Sequence, residues 1–142
     1  MGHKNQFWTP ISFQSTSPIT GFLPTNAYTS NIGSVPSGNY NGAMASTNTI
    51  YSQIIDLSKF DNIGAEVVWS GSPTGTLTIN GSVSGINFPA LTFDPVLAQP
   101  GGAPGSYLID LSFFPFKYIL FEYTNASGSG TLNIWLQAKD AN

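Results

Sequence analysis

Between residues 76 and 83 the chain alternates without a break: Thr76, Thr78, Asn80 and Ser82 take turns with Leu77, Ile79, Gly81 and Val83. A period of two is the mark of a strand with one buried face, so Leu77, Ile79 and Val83 are expected in a core and their polar neighbours outside. Leu132, Ile134, Leu136 and Ala138 alternate in the same way with Thr131, Asn133, Trp135, Gln137 and Lys139. In residues 117–124, Ile119, Phe121 and Tyr123 share one parity and Tyr118, Leu120 and Glu122 the other, which predicts a strand covered on both sides. Shorter runs at residues 6–13, 49–57, 65–69, 86–93 and 107–111 read as further strands. With about eight short strands between Gly/Pro turns, the expected fold is all-β: a β-sandwich or jelly roll of antiparallel strands. Fifteen Gly and ten Pro, spread throughout, leave few windows of helical length. Only a turn of helix near residues 57–62 has room.

A faint internal echo runs through the second half. Val67-Val68-Trp69 leads into Ser70-Gly71-Ser72-Pro73-Thr74 and then Gly75-Thr76-Leu77-Thr78-Ile79. Phe121-Glu122-Tyr123-Thr124 leads into Asn125-Ala126-Ser127-Gly128-Ser129 and then Gly130-Thr131-Leu132-Asn133-Ile134. Both read as strand, small-residue loop, strand, and predict two hairpins built by one rule.

Residues 1–48 differ from residues 49–142. They are rich in Ser, Thr, Asn, Gly and Pro, with aromatics at intervals, and from Asn5 to Ile55 there is no formally charged side chain. The first segment is expected as an extended N-terminal arm or as first strands with long loops, and the second as the sandwich core. Residues 94–106, with three Pro and three Gly, read as a turn-rich surface loop.

Charge changes the picture most. Charged residues are 8% of the chain, against about 25% in an average soluble domain. A surface so poor in charge loses little solvation when another surface covers it, which points to a protein that works through contacts. Four scattered Lys and no Arg give no basic patch, so nucleic acid is not an expected partner. The most apolar stretch, residues 111–121, is too short to span a bilayer, and no membrane association is expected. The first residues carry no long apolar run of signal-peptide type.

Candidate chemistry is sparse. There is no Cys and one His, His3, so thiolate chemistry, a His-based triad and a zinc site all lack their groups. The seven acids are Asp56, Asp61, Glu66, Asp94, Asp110, Glu122 and Asp140. Of these, Glu66 and Glu122 occupy analogous places in the two echoed segments and could face one another as a catalytic pair. The reading is nevertheless no catalytic residue, no metal and no cofactor. Trp135 falls on the outward side of its strand, where it could pack on the N-terminal segment, seat at a protein interface or stack on a sugar. Trp8, Phe13, Phe22, Tyr28, Tyr118 and Trp135 are the candidate interface residues. Trp69 shares its parity with Ala65 and Val67 and is expected in the core.

The run Trp69-Ser70-Gly71-Ser72-Pro73-Thr74-Gly75-Thr76-Leu77 resembles a segment of small tailed-phage virion proteins, in which an aromatic strand leads into a Gly-x-Pro-x-Gly-Thr turn. Tyr107-Leu108-Ile109-Asp110-Leu111, then Pro115 through Thr124, and Ser127-Gly128-Ser129-Gly130-Thr131-Leu132 resemble the strands and closing hairpin that follow in that group. The resemblance covers residues 65–139 and rests on short motifs of common turn residues. This chain has Ile119-Leu120-Phe121 where the group often carries a basic residue, and residues 84–88 lack the group's Ser-Asn-Asp-Gly turn. The first 60 residues match nothing in it. The resemblance implies a β-sandwich structural component of a phage particle. Capsid decoration is the leading role, with a tail or fibre adaptor, or a carbohydrate-binding host-recognition module, as the alternatives. Expected partners are other virion subunits, capsid or tail proteins, with the chain itself a homo-oligomer and a carbohydrate as the alternative ligand.

Overall fold

The structure is a computed structural model and describes residues 6–15, 19–23, 40–58, 60–93, 97–112 and 115–139. Ten strands are present among them: β1 (Gln6–Pro10), β2 (Phe13–Ser15), β3 (Ile19–Leu23), β4 (Gly42–Met44), β5 (Thr49–Asp56), β6 (Asn62–Gly71), β7 (Thr74–Ser82), β8 (Gly105–Asp110), β9 (Tyr118–Ser127) and β10 (Gly130–Lys139). They form two sheets that face each other across one core, a β-sandwich. In sheet A the order is β1-β10-β6-β8, with β4 also on β10; in sheet B it is β2-β5-β9-β7, with β3 also on β5. All pairs are antiparallel except β3 with β5, which run parallel. Among the described residues there is no helix; near residue 57 the chain makes one reverse turn, Phe60 N–H donating to the Leu57 carbonyl at 3.1 Å.

The alternating patterns do what a period of two requires. Leu77, Ile79, Leu132, Ile134, Leu136, Ala138, Ile119, Phe121 and Tyr123 are all buried between the sheets, with Trp69 beside them. Trp69 donates its indole N–H to the Ala103 carbonyl at 2.8 Å and meets Tyr107 edge-on at 5.8 Å. On the other side of β9, Leu120 is also buried, so that strand is covered on both faces at this point.

The connections depart from expectation. From β4 to β10 every link passes to the opposite sheet, and no two consecutive strands pair with each other. The two echoed segments are therefore arches between the sheets, not hairpins within one. They lie side by side, β6 on β10 and β7 on β9, and their corners interlock. Ser72 N–H donates to the Ser129 carbonyl at 2.9 Å. A Cβ on Gly71 (φ +83°) would run into that same carbonyl, and a Cβ on Gly128 (φ +70°) into the carbonyl of Ser72. Gly, Ser and Pro suit a tight reversal of either kind, which is why turn chemistry alone did not separate an arch from a hairpin.

Three further readings are corrected. The strand expected over residues 6–13 is two strands in different sheets: Ile11 N–H reaches the Ile134 carbonyl at 2.8 Å, and the chain then crosses to sheet B. Residues 86–93 form no strand. Pro89 has no N–H to give, and the segment contributes only Leu91 N–H to the Ile79 carbonyl at 2.9 Å and the Pro89 carbonyl to Gly81 N–H at 3.1 Å. Val83 is 70% exposed because the chain leaves the sheet after Ser82, through a turn in which Gly85 N–H donates to Ser82 Oγ at 2.8 Å. Conversely, Asn80 and Ser82, expected outside, are buried.

The described parts of residues 1–48 are strands of both sheets, and Ile11, Phe13 and Met44 lie in the core. Asn125 ties β4 to the second arch: it is 1% exposed, accepts from the Tyr123 hydroxyl at 2.8 Å and donates to the carbonyls of Ser46 at 2.8 Å and Gly128 at 3.0 Å. That clamp holds Ser46 at φ +51°, a conformation that non-glycine residues adopt rarely.

Candidate functional site

Sheet A buries Ile63, Ala65 and Val67 of β6 against sheet B, so Asn62, Gly64, Glu66 and Val68 face away from the core. The same alternation turns Asn133, Trp135, Gln137 and Lys139 of β10 and Ser106, Leu108 and Asp110 of β8 to that outer face. Register then sets the rows. Trp135 lies opposite Glu66, and Glu66 opposite Leu108; one step along, Gln137 lies opposite Gly64, and Gly64 opposite Asp110. The result is a shallow groove of about 680 Å³, floored by Gly64. Trp135 and Leu108 supply its apolar surface, and Glu66, Asp110, Asn62 and Gln137 its polar groups. With strands about 4.8 Å apart, Gln137 and Asp110 stand roughly 10 Å apart across it.

Gly64 is the informative floor residue. A glycine inside a strand costs backbone entropy and removes a side chain from packing. Where the fold needs one, a Cβ has nowhere to go: on Gly75 it would collide with the Tyr123 hydroxyl and the Thr124 carbonyl. On Gly64 the nearest heavy atom is the Ile109 carbonyl oxygen at 3.9 Å, ordinary contact, and its φ is not positive. Neither space nor backbone conformation requires a glycine at position 64.

The electrostatics favour acceptors. Asp110 takes a hydrogen bond from Ser112 N–H at 2.9 Å, and the Ser112 backbone and hydroxyl together hold its carboxyl below the usual range. It is thus a fixed anionic acceptor. Leu108 is 79% exposed and Trp135 is half-buried.

The sequence candidates distribute unevenly. Trp135 is in the groove. Trp8 belongs to β1, its backbone opposite Gln137. Phe13, expected at a contact surface, is 3% exposed in the core, because the crossing at Ile11 and Ser12 turns it between the sheets. Phe22 belongs to β3, with its backbone beside Ile54. Tyr28 lies outside the described residues. Tyr118 is half-buried on sheet B, with the Lys117 ammonium 5.1 Å from its ring centre. Glu66 and Glu122 do not converge. Each sits on the outer face of a different sheet, Glu122 accepting from Asn80 Nδ2 at 3.2 Å. Sequence reasoning missed Gly64, Asp110 and Leu108; a lone glycine inside an apolar-polar alternation was the available signal.

No family model matches the chain, and no curated protein does. Among solved structures it is similar to the enzymatically active domain of tailspike protein 4 of bacteriophage CBA120, with TM-score 0.46 and 10% identity over 95% of this chain. The chain spans 19% of that structure's length. It is also similar to the K1 cleaved adhesin domain of Lys-gingipain from Porphyromonas gingivalis, with TM-score 0.39 and 14% identity over 99% of both chains. Among the described residues no helix is long and apolar enough to cross a membrane, and no three His, Cys, Asp or Glu gather to hold a metal ion.

Proposed function

We propose that this chain is a non-catalytic recognition module of a tailed-phage particle, and that it binds a neutral saccharide in the groove of sheet A. The observation that carries the reading is the unobstructed Gly64 floor between an indole, two carboxylates and two amides. Saccharide rings present a face of C–H groups with hydroxyls around the rim. An aromatic face suits the first, and carboxylates and amides that accept or exchange hydrogen bonds suit the second. The two acids disfavour an anionic sugar. Glu66 and Glu122 lie on different sheets, which supports binding over hydrolysis by that pair. The phage setting rests on the charge-poor composition and on the resemblance over residues 65–139.

The test is an array of neutral oligosaccharides probed with the full chain, followed by titration calorimetry on any hit. Trp135→Ala and Glu66→Gln are each expected to weaken binding about tenfold or more, about 1.4 kcal/mol. Absence of any saccharide ligand, with tight binding to purified phage heads or tails instead, would overturn the reading. That outcome would favour the second one, a capsid-decoration or tail-adaptor subunit acting through protein contacts, which the 8% charge content supports.

A further inference from the structure

The two sheets end differently. The outer edge of β7 is capped group by group. Gly75 N–H donates to the Pro100 carbonyl at 3.1 Å, Ile79 C=O accepts from Leu91, and Gly81 N–H donates to Pro89. Between them the Gln99 side-chain amide imitates a strand: its Oε1 accepts from Leu77 N–H at 2.6 Å and its Nε2 donates to the Leu77 carbonyl at 3.0 Å. That is how a β protein protects an edge.

Among the described residues the outer edge of β8 has no such cap. Leu111 N–H bonds the Ile63 carbonyl at 2.8 Å, which fixes the alternation of the β6–β8 ladder. Residues 109, 107 and 105 then bond to β6, while the N–H and C=O groups of Ser106, Leu108 and Asp110 point away from it. No described residue hydrogen-bonds those backbone groups, and all three residues are exposed. The strand has no Pro, no Lys and no break in register, and Asp110 at its end is its one charged side chain.

We infer that β8 is the self-association edge of this protein, pairing antiparallel with β8 of a second copy about a two-fold axis at Leu108. That register is self-complementary. Leu108 meets the second copy's Leu108, an apolar cross-strand pair. Ser106 stands opposite the second copy's Asp110, so a hydroxyl donates to a carboxylate at both ends. Three hydrogen-bonded pairs form, with two backbone bonds in each. The two Asp110 carboxylates sit four strand positions apart, roughly 13 Å, beyond the screening length of about 8 Å. Sheet A then continues across the axis. The inference does not depend on what the groove binds.

Ser106 is outside the groove and supplies the test. Sedimentation velocity of the full chain, from micromolar to about 1 mM, is expected to show a concentration-dependent dimer. Ser106→Asp places two carboxylates opposite each other at both ends and weakens dimerisation about tenfold or more. Ser106→Lys places an ammonium there and strengthens it. At dimer-forming concentrations the amides of Ser106, Leu108 and Asp110 become protected from hydrogen exchange. A wild-type chain monomeric throughout overturns the inference, as does an equal effect of the Asp and Lys variants. At concentrations where the chain is monomeric, Ser106 faces no second copy's Asp110 and saccharide binding by the Ser106 variants stays as in the wild type, so failure here and failure of the groove are read separately.

Discussion

If Gly64 is kept for the groove, giving it a side chain should help the fold and harm the function. An interior strand glycine costs roughly 0.5–1 kcal/mol relative to alanine. The added Cβ of Gly64→Ala meets nothing nearer than the Ile109 carbonyl oxygen at 3.9 Å, so no steric term offsets that gain. The expected outcome is a stabilisation of about 0.5–1 kcal/mol, a rise in melting temperature of about 1–4 °C. Gly75→Ala is the internal control. There the Cβ runs into the Tyr123 hydroxyl and the Thr124 carbonyl, and a loss of about 1–3 kcal/mol follows. Gly64→Val adds two further methyls over the groove floor. It should remain as stable as the wild type or more so, and lose saccharide binding about tenfold or more. Urea titration gives the stabilities and calorimetry the binding. If Gly64→Ala loses stability as Gly75→Ala does, the glycine serves the fold; if Gly64→Val binds undiminished, the groove is not the site.

The Tyr107 hydroxyl is buried without a partner among the described residues, so Tyr107→Phe should stabilise by about 1 kcal/mol in thermal melts. Burial pushes its pKa from 10.0 up to about 12. The neutral form is thus favoured in the fold, and its contribution is complete below pH 10 and lost as pH climbs through 12. The variant should show a smaller alkaline loss than the wild type, reduced rather than abolished, because burial also raises Tyr40 and Tyr123. Asn125→Ala removes three hydrogen bonds and strands the Tyr123 hydroxyl and the carbonyls of Ser46 and Gly128, for an expected loss of about 3 kcal/mol by urea titration. Because no consecutive strands pair, refolding measured by stopped-flow Trp fluorescence should take milliseconds to seconds; a microsecond phase carrying the full amplitude would contradict the topology.

What was legible in the chain is what a period of two encodes. Leu77, Ile79, Leu132, Ile134 and Leu136 announce their burial because each strand shows one face to one core. Trp135 announces the outer face by breaking that pattern. Pairing was not legible, since Gly, Ser and Pro at residues 71–75 and 127–130 permit an arch as readily as a hairpin. Nor was the split of residues 6–13. Ile11 and Phe13 look like one more alternating strand, and only the β10 carbonyl that captures Ile11 N–H shows where the chain changes sheets. The groove was half legible. Trp135 could be read alone, but Gly64 and Asp110 become its neighbours only through the pairings of β6 with β10 and β8, which lie far apart in sequence.

The two faces of the sandwich have been treated oppositely, and this bears on function more than any single residue. On sheet B the outer side buries Leu120, Asn80 and Ser82, a turn lies with Gly85 against the Tyr118 ring, and the β7 edge is capped by Pro89, Leu91, Gln99 and Pro100. On sheet A the outer side leaves Glu66, Val68, Leu108, Asp110 and Gln137 exposed around a glycine the backbone does not need, and no described residue caps its β8 edge. A chain able to cover an edge with the amide of Gln99 had the means to close the other edge also. An open face beside an open edge among the described residues, in a chain with so little charge to repel a neighbour, is the common ground of both proposals, the groove and the β8 pairing, which each put the working surface on sheet A.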